Sequence, residues 1–151
     1  MTSSTKKLLS RRGFVKKTGA AVAGTMIISP AFSNVLNSLN GKKKVALVGT
    51  GIRGTSFWGK YLNDEYSDVI EFVGLCDINP GRVAYSKEHI GVDCPIYLNF
   101  DEMLEKADID LLMVTTVDST HDEFIIKGLD KGIDVVTEKP MTTDEKKCQN
   151  I

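Results

Sequence analysis

The 151-residue chain reads as an α/β fold, with helices wound over both faces of a parallel sheet. Three observations point there. From Lys44 onward, short apolar runs alternate with helix-like stretches through short connections. The first run, Val45–Val48, feeds straight into Gly49, Gly51 and Gly54 at G-x-G-x-x-G spacing. Four polar or glycine-rich loops follow strands, so a parallel sheet gathers them at one edge, where such sheets bind ligands.

Each glycine of Lys44–Gly54 (KVALVGTGIRG) has a physical task. Gly49 permits the turn off the strand, Gly51 lets the backbone approach a pyrophosphate, and Gly54 lets helix and strand pack closely. The pyrophosphate would rest on free N–H groups at the positive end of the helix dipole. A glycine-rich turn alone would explain the spacing. The strand before it, the helix after it and an acid ending the next strand favour a Rossmann-type dinucleotide site. Phe57, Trp58, Tyr61 and Leu62 suit the buried face of that helix.

Val69–Cys76 is the second strand, and Asp77 ends it 23 residues past Gly54. A carboxylate there accepts from ribose hydroxyls and repels a 2′-phosphate, favouring NAD, with NADP kept open by nearby Arg82. Asp77 could equally be a turn or cap acid in Asp77-Ile78-Asn79-Pro80. Pro80 suits the first turn of a helix running to about His89, and Gly91 stops it. His89 reads as solvent-facing. A short third strand lies within Cys94–Leu98, with Pro95 confining it to a start or an edge. Asn99 caps a helix over Phe100–Ala107. Ile109–Val114 is the fourth strand and opens into Thr115–His121. A helix follows over about Asp122–Lys131, with Phe124, Ile125 and Leu129 on one face and Gly132 at its end. Ile133–Val136 is the fifth strand, leading into Thr137-Glu138-Lys139-Pro140. Thr142-x-x-Glu145 reads as a capping box for a last helix, inside which the chain stops at Ile151.

Hydrophobic residues make up 42% of the chain and charged residues 26%, ordinary for a globular protein of about one domain. Residues 1–31 read as a leader. Lys6 and Lys7 precede Ser10-Arg11-Arg12-Gly13-Phe14-Val15-Lys16, an apolar stretch follows, and Ser29-Pro30-Ala31 offers a cleavage site. This resembles a twin-arginine signal, with Val15 where leucine is commoner. The expected location is therefore periplasmic or otherwise exported. Residues 32–43 read as a polar linker, and 44–151 as the folded domain. Six of the 19 basic residues lie in the leader. The other 13 face 20 acidic residues, a net of −7 that argues against nucleic acid as a partner. No run is long and apolar enough for a transmembrane helix once the signal is removed. Cys76, Cys94 and Cys148 show neither disulfide nor metal spacing, and no metal site is expected.

From Lys43 to the end, the chain resembles the Gfo/Idh/MocA oxidoreductase family. The resemblance rests on VALVGTGIRG, LCDINPGR, the loop through His121, and Val136-Thr137-Glu138-Lys139-Pro140, whose E-K-P is the most specific piece. It implies an N-terminal Rossmann domain followed by a larger α/β domain, and NAD(P)-dependent hydride transfer on a sugar or polyol CH–OH group. By position, Gly49, Gly51, Ile52, Arg53 and Gly54 would hold the pyrophosphate, and Asp77 the adenosine ribose, with Arg82 beside it. Thr115, Thr116 and His121 would line the nicotinamide side. Glu138 would contact the nicotinamide ribose region, and Lys139 would act catalytically on the substrate hydroxyl. Thr116 departs from the proline common at that place. The second domain is absent from these 151 residues. They are accordingly expected to bind a dinucleotide weakly without turnover, with a small sugar-like substrate and homo-oligomer formation belonging to a full-length form. Two other readings are an NAD-dependent glycosidase of the same superfamily and a non-catalytic dinucleotide-binding fragment. Glycosidase relatives tend to carry a tryptophan-rich fourth-strand loop and to lack the E-K-P lysine.

Overall fold

A computed structural model describes residues 41–151. The expected leader, residues 1–31, lies outside the described residues. Five strands form one parallel sheet: β1 (Lys43–Val48), β2 (Ile70–Cys76), β3 (Ile96–Tyr97), β4 (Leu111–Val114) and β5 (Asp134–Thr137). Their spatial order is β3-β2-β1-β4-β5. The chain builds outward from β1 on one side, then crosses back to build on the other. The crevice between the carboxyl ends of β1 and β4 is therefore the topological switch point.

β1 is apolar at consecutive positions because both its faces are covered. Val45 and Leu47 join one cluster with Phe72, Leu75, Val83, Ile90 and Met113. Ala46 and Val48 join the other with Cys76, Phe100, Met103, Leu112 and Ile125. Val45, Ala46 and Leu47 have no solvent exposure at all. The strand begins at Lys43, the last residue of the expected linker, with Lys43 paired to Asp134 across the sheet's amino end.

Helices α2 (Pro80–Ile90) and α3 (Phe100–Lys106) start where expected. Asn79 and Asn99 cap them, accepting from the amides of Arg82 and Glu102 at 3.1 and 3.0 Å. Gly91, at φ +80°, ends α2 in the left-handed conformation. His89 is exposed and stacks on Tyr85. α4 (His121–Asp130) follows a single 3₁₀ turn, Asp118–Thr120.

Three expectations are corrected. The first helix, α1, winds as a π-helix over Arg53–Tyr61 and becomes α-helical over Leu62–Tyr66. Its buried residues are Gly54, Thr55 and Gly59, whereas Phe57 and Tyr61 are exposed and stack on each other. Trp58 and Leu62 of the expected face do pack, part-buried, against the cluster of Val45, Leu47 and Ile90, whereas the α-helical period fails for Phe57 and Tyr61 in the π-wound segment. On α4, Leu129 is exposed and Gly128 is buried. The helix lies too close to the sheet there for a side chain, since a Cβ on Gly128 would come within 2.9 Å of Val135 and 3.0 Å of Leu112. The last helix, α5 (Glu145–Asn150), is capped by Asp144, which accepts from the Lys147 amide at 3.1 Å. Thr142 therefore caps nothing, and its buried hydroxyl has no partner among the described residues.

Candidate functional site at the carboxyl edge of the sheet

The loop after β1 is shaped by two close approaches and one opening. Gly49 has φ +89°, and a Cβ on it would lie 2.6 Å from the Thr115 carbonyl group. A Cβ on Gly54 would collide with the Gly49 carbonyl oxygen and lie 2.5 Å from Thr115 Oγ1. Both glycines allow the first loop to press against the β4 loop. Gly51 differs: a Cβ there would meet nothing within 4 Å among the described residues. The helix behind it begins with no side-chain cap bond and no acidic residue in its first turn. An open glycine backed by an uncapped helix start fits a pyrophosphate, whose oxygens would take those amide donors. Ile52, the next residue, is 86% exposed.

Asp77 ends β2 as expected, but its carboxylate is 6% exposed and turned inward. Oδ2 accepts from Thr50 N at 2.8 Å and Thr50 Oγ1 at 3.1 Å, and Oδ1 accepts from Asn79 N at 2.9 Å. The two-residue step to Asn79 is an Asx turn, so Asp77 shapes the turn while Asn79 caps the helix. Arg82 on α2 brings Nη1 to 3.6 Å from Oδ2. Beneath the loop, the Thr50 carbonyl accepts from Thr55 Oγ1 at 3.0 Å and Ser86 Oγ at 3.4 Å. Thr50, Thr55 and Ser86 are all buried. This polar network fixes the glycine loop from below, and apart from Thr50, which lies within the glycine motif, no sequence motif marks its members.

The other half of the crevice is built from β4 and β5. Thr115 Oγ1 lies 2.5 Å from the Gly49 carbonyl and 3.2 Å from that of Val48, satisfying the strand end. Thr116 accepts from Thr120 Oγ1 at 3.0 Å. His121 was expected to line the nicotinamide side. It is fully buried instead, with Nδ1 2.9 Å from the Pro140 carbonyl and Nε2 3.1 Å from the Thr116 carbonyl. Both ring nitrogens are occupied, so the ring ties the two loops together from behind. It heads α4, where a side chain can reach back to both loops.

Glu138 is also committed. Its Oε1 accepts from Trp58 Nε1 at 2.8 Å and Arg53 Nε at 2.9 Å, with a closer contact to Arg53 Nη2. The Trp58 bond and then the Arg53 pair hold its carboxyl below the usual glutamate range. Arg53 was expected on the pyrophosphate. It stands at the helix start, tied to Glu138 and resting 5.0 Å from the centre of the Phe57 ring. Lys139 is exposed at the tip of the loop, beside a cis bond to Pro140. The structure thus brings the glycine loop, Asp77, Thr115, Thr116, Glu138 and Lys139 to one edge. Trp58 was legible only as an apolar helix residue, because its indole N–H has no partner until the fold supplies Glu138.

A family model described as an oxidoreductase family with an NAD-binding Rossmann fold matches residues 43–151. The YteT protein of Bacillus subtilis is 34% identical over 105 residues, covering 67% of this chain and 24% of that protein. An inositol 2-dehydrogenase of Serratia proteamaculans is 28% identical over 104 residues, 67% of this chain and 31% of the enzyme. Among solved structures, the WlbA dehydrogenase of Bordetella pertussis in complex with NADH and UDP-GlcNAcA superposes with a TM-score of 0.65 at 26% identity. That match covers 72% of this chain and 31% of that one. The chain therefore spans about a quarter to a third of the length of these relatives.

Proposed function

The chain belongs to the Gfo/Idh/MocA oxidoreductase family, an NAD-binding Rossmann family, and from that membership we propose that it is the cofactor-binding part of an exported sugar or polyol dehydrogenase. The observation that carries the reading is the open Gly51 at an uncapped helix start after β1, with Thr115 and Thr116 after the neighbouring β4 and Glu138 after β5. The pyrophosphate would lie over Gly49–Gly54. Asp77 and Arg82 sit on the adenosine side, where the acid favours NAD and the arginine keeps NADP within reach. NAD supplies or accepts a hydride at the nicotinamide ring. Lys139 holds the substrate hydroxyl and moves its proton. Glu138 and the two threonines shape the nicotinamide half of the crevice.

Relatives described as inositol 2-dehydrogenases, and WlbA with a bound nucleotide sugar, support a polyhydroxylated substrate. Lys139, together with a Thr115–His121 loop free of tryptophan, favours this reading over an NAD-dependent glycosidase. The Arg11-Arg12 leader supports twin-arginine export, which carries folded proteins with their cofactor in place. Calorimetric titration of the chain with NAD and NADP tests the binding half. The expected result is saturable binding with NAD the tighter; no heat with either would overturn it. Export is tested by fusing residues 1–31 to a folded reporter, and replacing Arg11 and Arg12 by lysine should abolish its translocation.

A further inference from the structure

The E-K-P loop has a partner that the cofactor reading does not use. Trp58 is the one tryptophan of the chain. It is partly buried against the cluster of Val45, Leu47 and Ile90, and its indole N–H is aimed out of that cluster at Glu138. Arg53 reaches the same oxygen from the same helix. These residues are five apart, which in an α-helix separates two side chains by about 140°. A π-helix closes its hydrogen bonds between residues five apart and so brings them onto one side. The same winding puts Gly54 and Gly59, again five apart, on the buried side, where a Cβ on Gly59 would collide with Ile90.

We propose that Trp58 is a positioning residue for the Glu138–Lys139 loop, and that π-winding of α1 is what delivers Trp58 and Arg53 together to the Glu138 carboxylate. Arg53 neutralises the carboxylate, while the neutral indole fixes where its oxygen points. Glu138 adjoins Lys139, and its amide donates to the Val114 carbonyl at 3.0 Å, so a fixed Glu138 fixes the start of the loop that presents the lysine. Trp58 thus acts on the nicotinamide half of the crevice through Glu138 and touches no ligand itself. The functional half of this inference rests on the NAD reading.

The test is a double-mutant cycle on NADH affinity, read from the fluorescence of NADH itself, in the full chain. Trp58→Phe keeps a ring in the cluster and removes the donor. It should weaken NADH binding by roughly three- to tenfold in the wild-type background and leave it unchanged in the Glu138→Met background, where no acceptor faces the indole. Equal weakening in both backgrounds, or none in the wild type, would overturn the inference while leaving the NAD reading intact. Absence of NADH binding by the wild-type chain would overturn both. Indole emission gives a second readout with position 58 untouched. Glu138→Met, which removes the acceptor, should shift the Trp58 spectrum, and superimposable spectra would contradict the bond on which the proposal stands.

Discussion

At the scale of single residues, Gly51 and Gly54 should part company. Gly54→Ala drives a methyl against the Gly49 carbonyl, which is backbone and cannot swing aside. The cost should be about 1–3 kcal/mol, read as a lower melting temperature. Gly51→Ala meets nothing. It should melt like the wild type and bind NAD more weakly, because its methyl occupies the space left for the pyrophosphate. Glu138 makes a pH prediction. Its native pKa is held below the ordinary value by Trp58 and Arg53. A depressed carboxylate pKa stabilises the fold above its unfolded value, about 4.3, and that stability is lost as pH falls toward the native value. Below about pH 4.3 the wild type should therefore lose melting temperature more steeply than Glu138→Gln; parallel curves would refute the assignment. Gly49, Gly51 and Gly54 were legible because their spacing is local. The inward turn of Asp77 was not, because Thr50 becomes its donor only when the β1 and β2 loops meet.

At the scale of elements, α1 is where sequence and structure diverge. Its existence and its start followed from the glycine spacing, but its winding did not. Phe57, Trp58, Tyr61 and Leu62 satisfy an α-helical stripe, but only Trp58 and Leu62 of these pack on the core, beside the buried Gly54, Thr55 and Gly59. Side-chain periodicity carries no mark of a π-turn, whereas close packing against Ile90 selects glycine at position 59. The strands fared better because each is short, apolar and bounded by turn residues. His121 joins two elements. Replacing it with alanine leaves the Thr116 and Pro140 carbonyls without their partner and opens a cavity, at a cost of about 3 kcal/mol. The loosening should be local. The Glu138 amide should exchange faster relative to amides of β1, as read by hydrogen exchange; uniform acceleration across the sheet would instead mean a general loss of stability.

At the scale of the molecule, the sheet sorts the three cysteines by chemistry. Cys76 and Cys94 lie in the core, and burial pushes their thiols up to about 12 and about 11. Cys148 is exposed on α5. A thiol reagent at mildly alkaline pH should label Cys148 alone in the native protein and all three after denaturation. Rapid labelling of Cys76 or Cys94 would contradict the core described. The overall architecture was legible because strand and helix alternation leaves few topologies for a parallel sheet. The convergence of the loops at one edge followed from the same rule. What stayed hidden were contacts between residues far apart in sequence, such as Trp58 with Glu138 and His121 with Pro140. The most direct test of the central claim is an amide chemical-shift map of the chain titrated with NAD. Saturable shifts should concentrate at residues 49–54, 77–82, 115–121 and 138–139, at the carboxyl edge of the sheet. Shifts confined to the opposite edge, or none at saturating NAD, would contradict the assignment of this edge as a dinucleotide site.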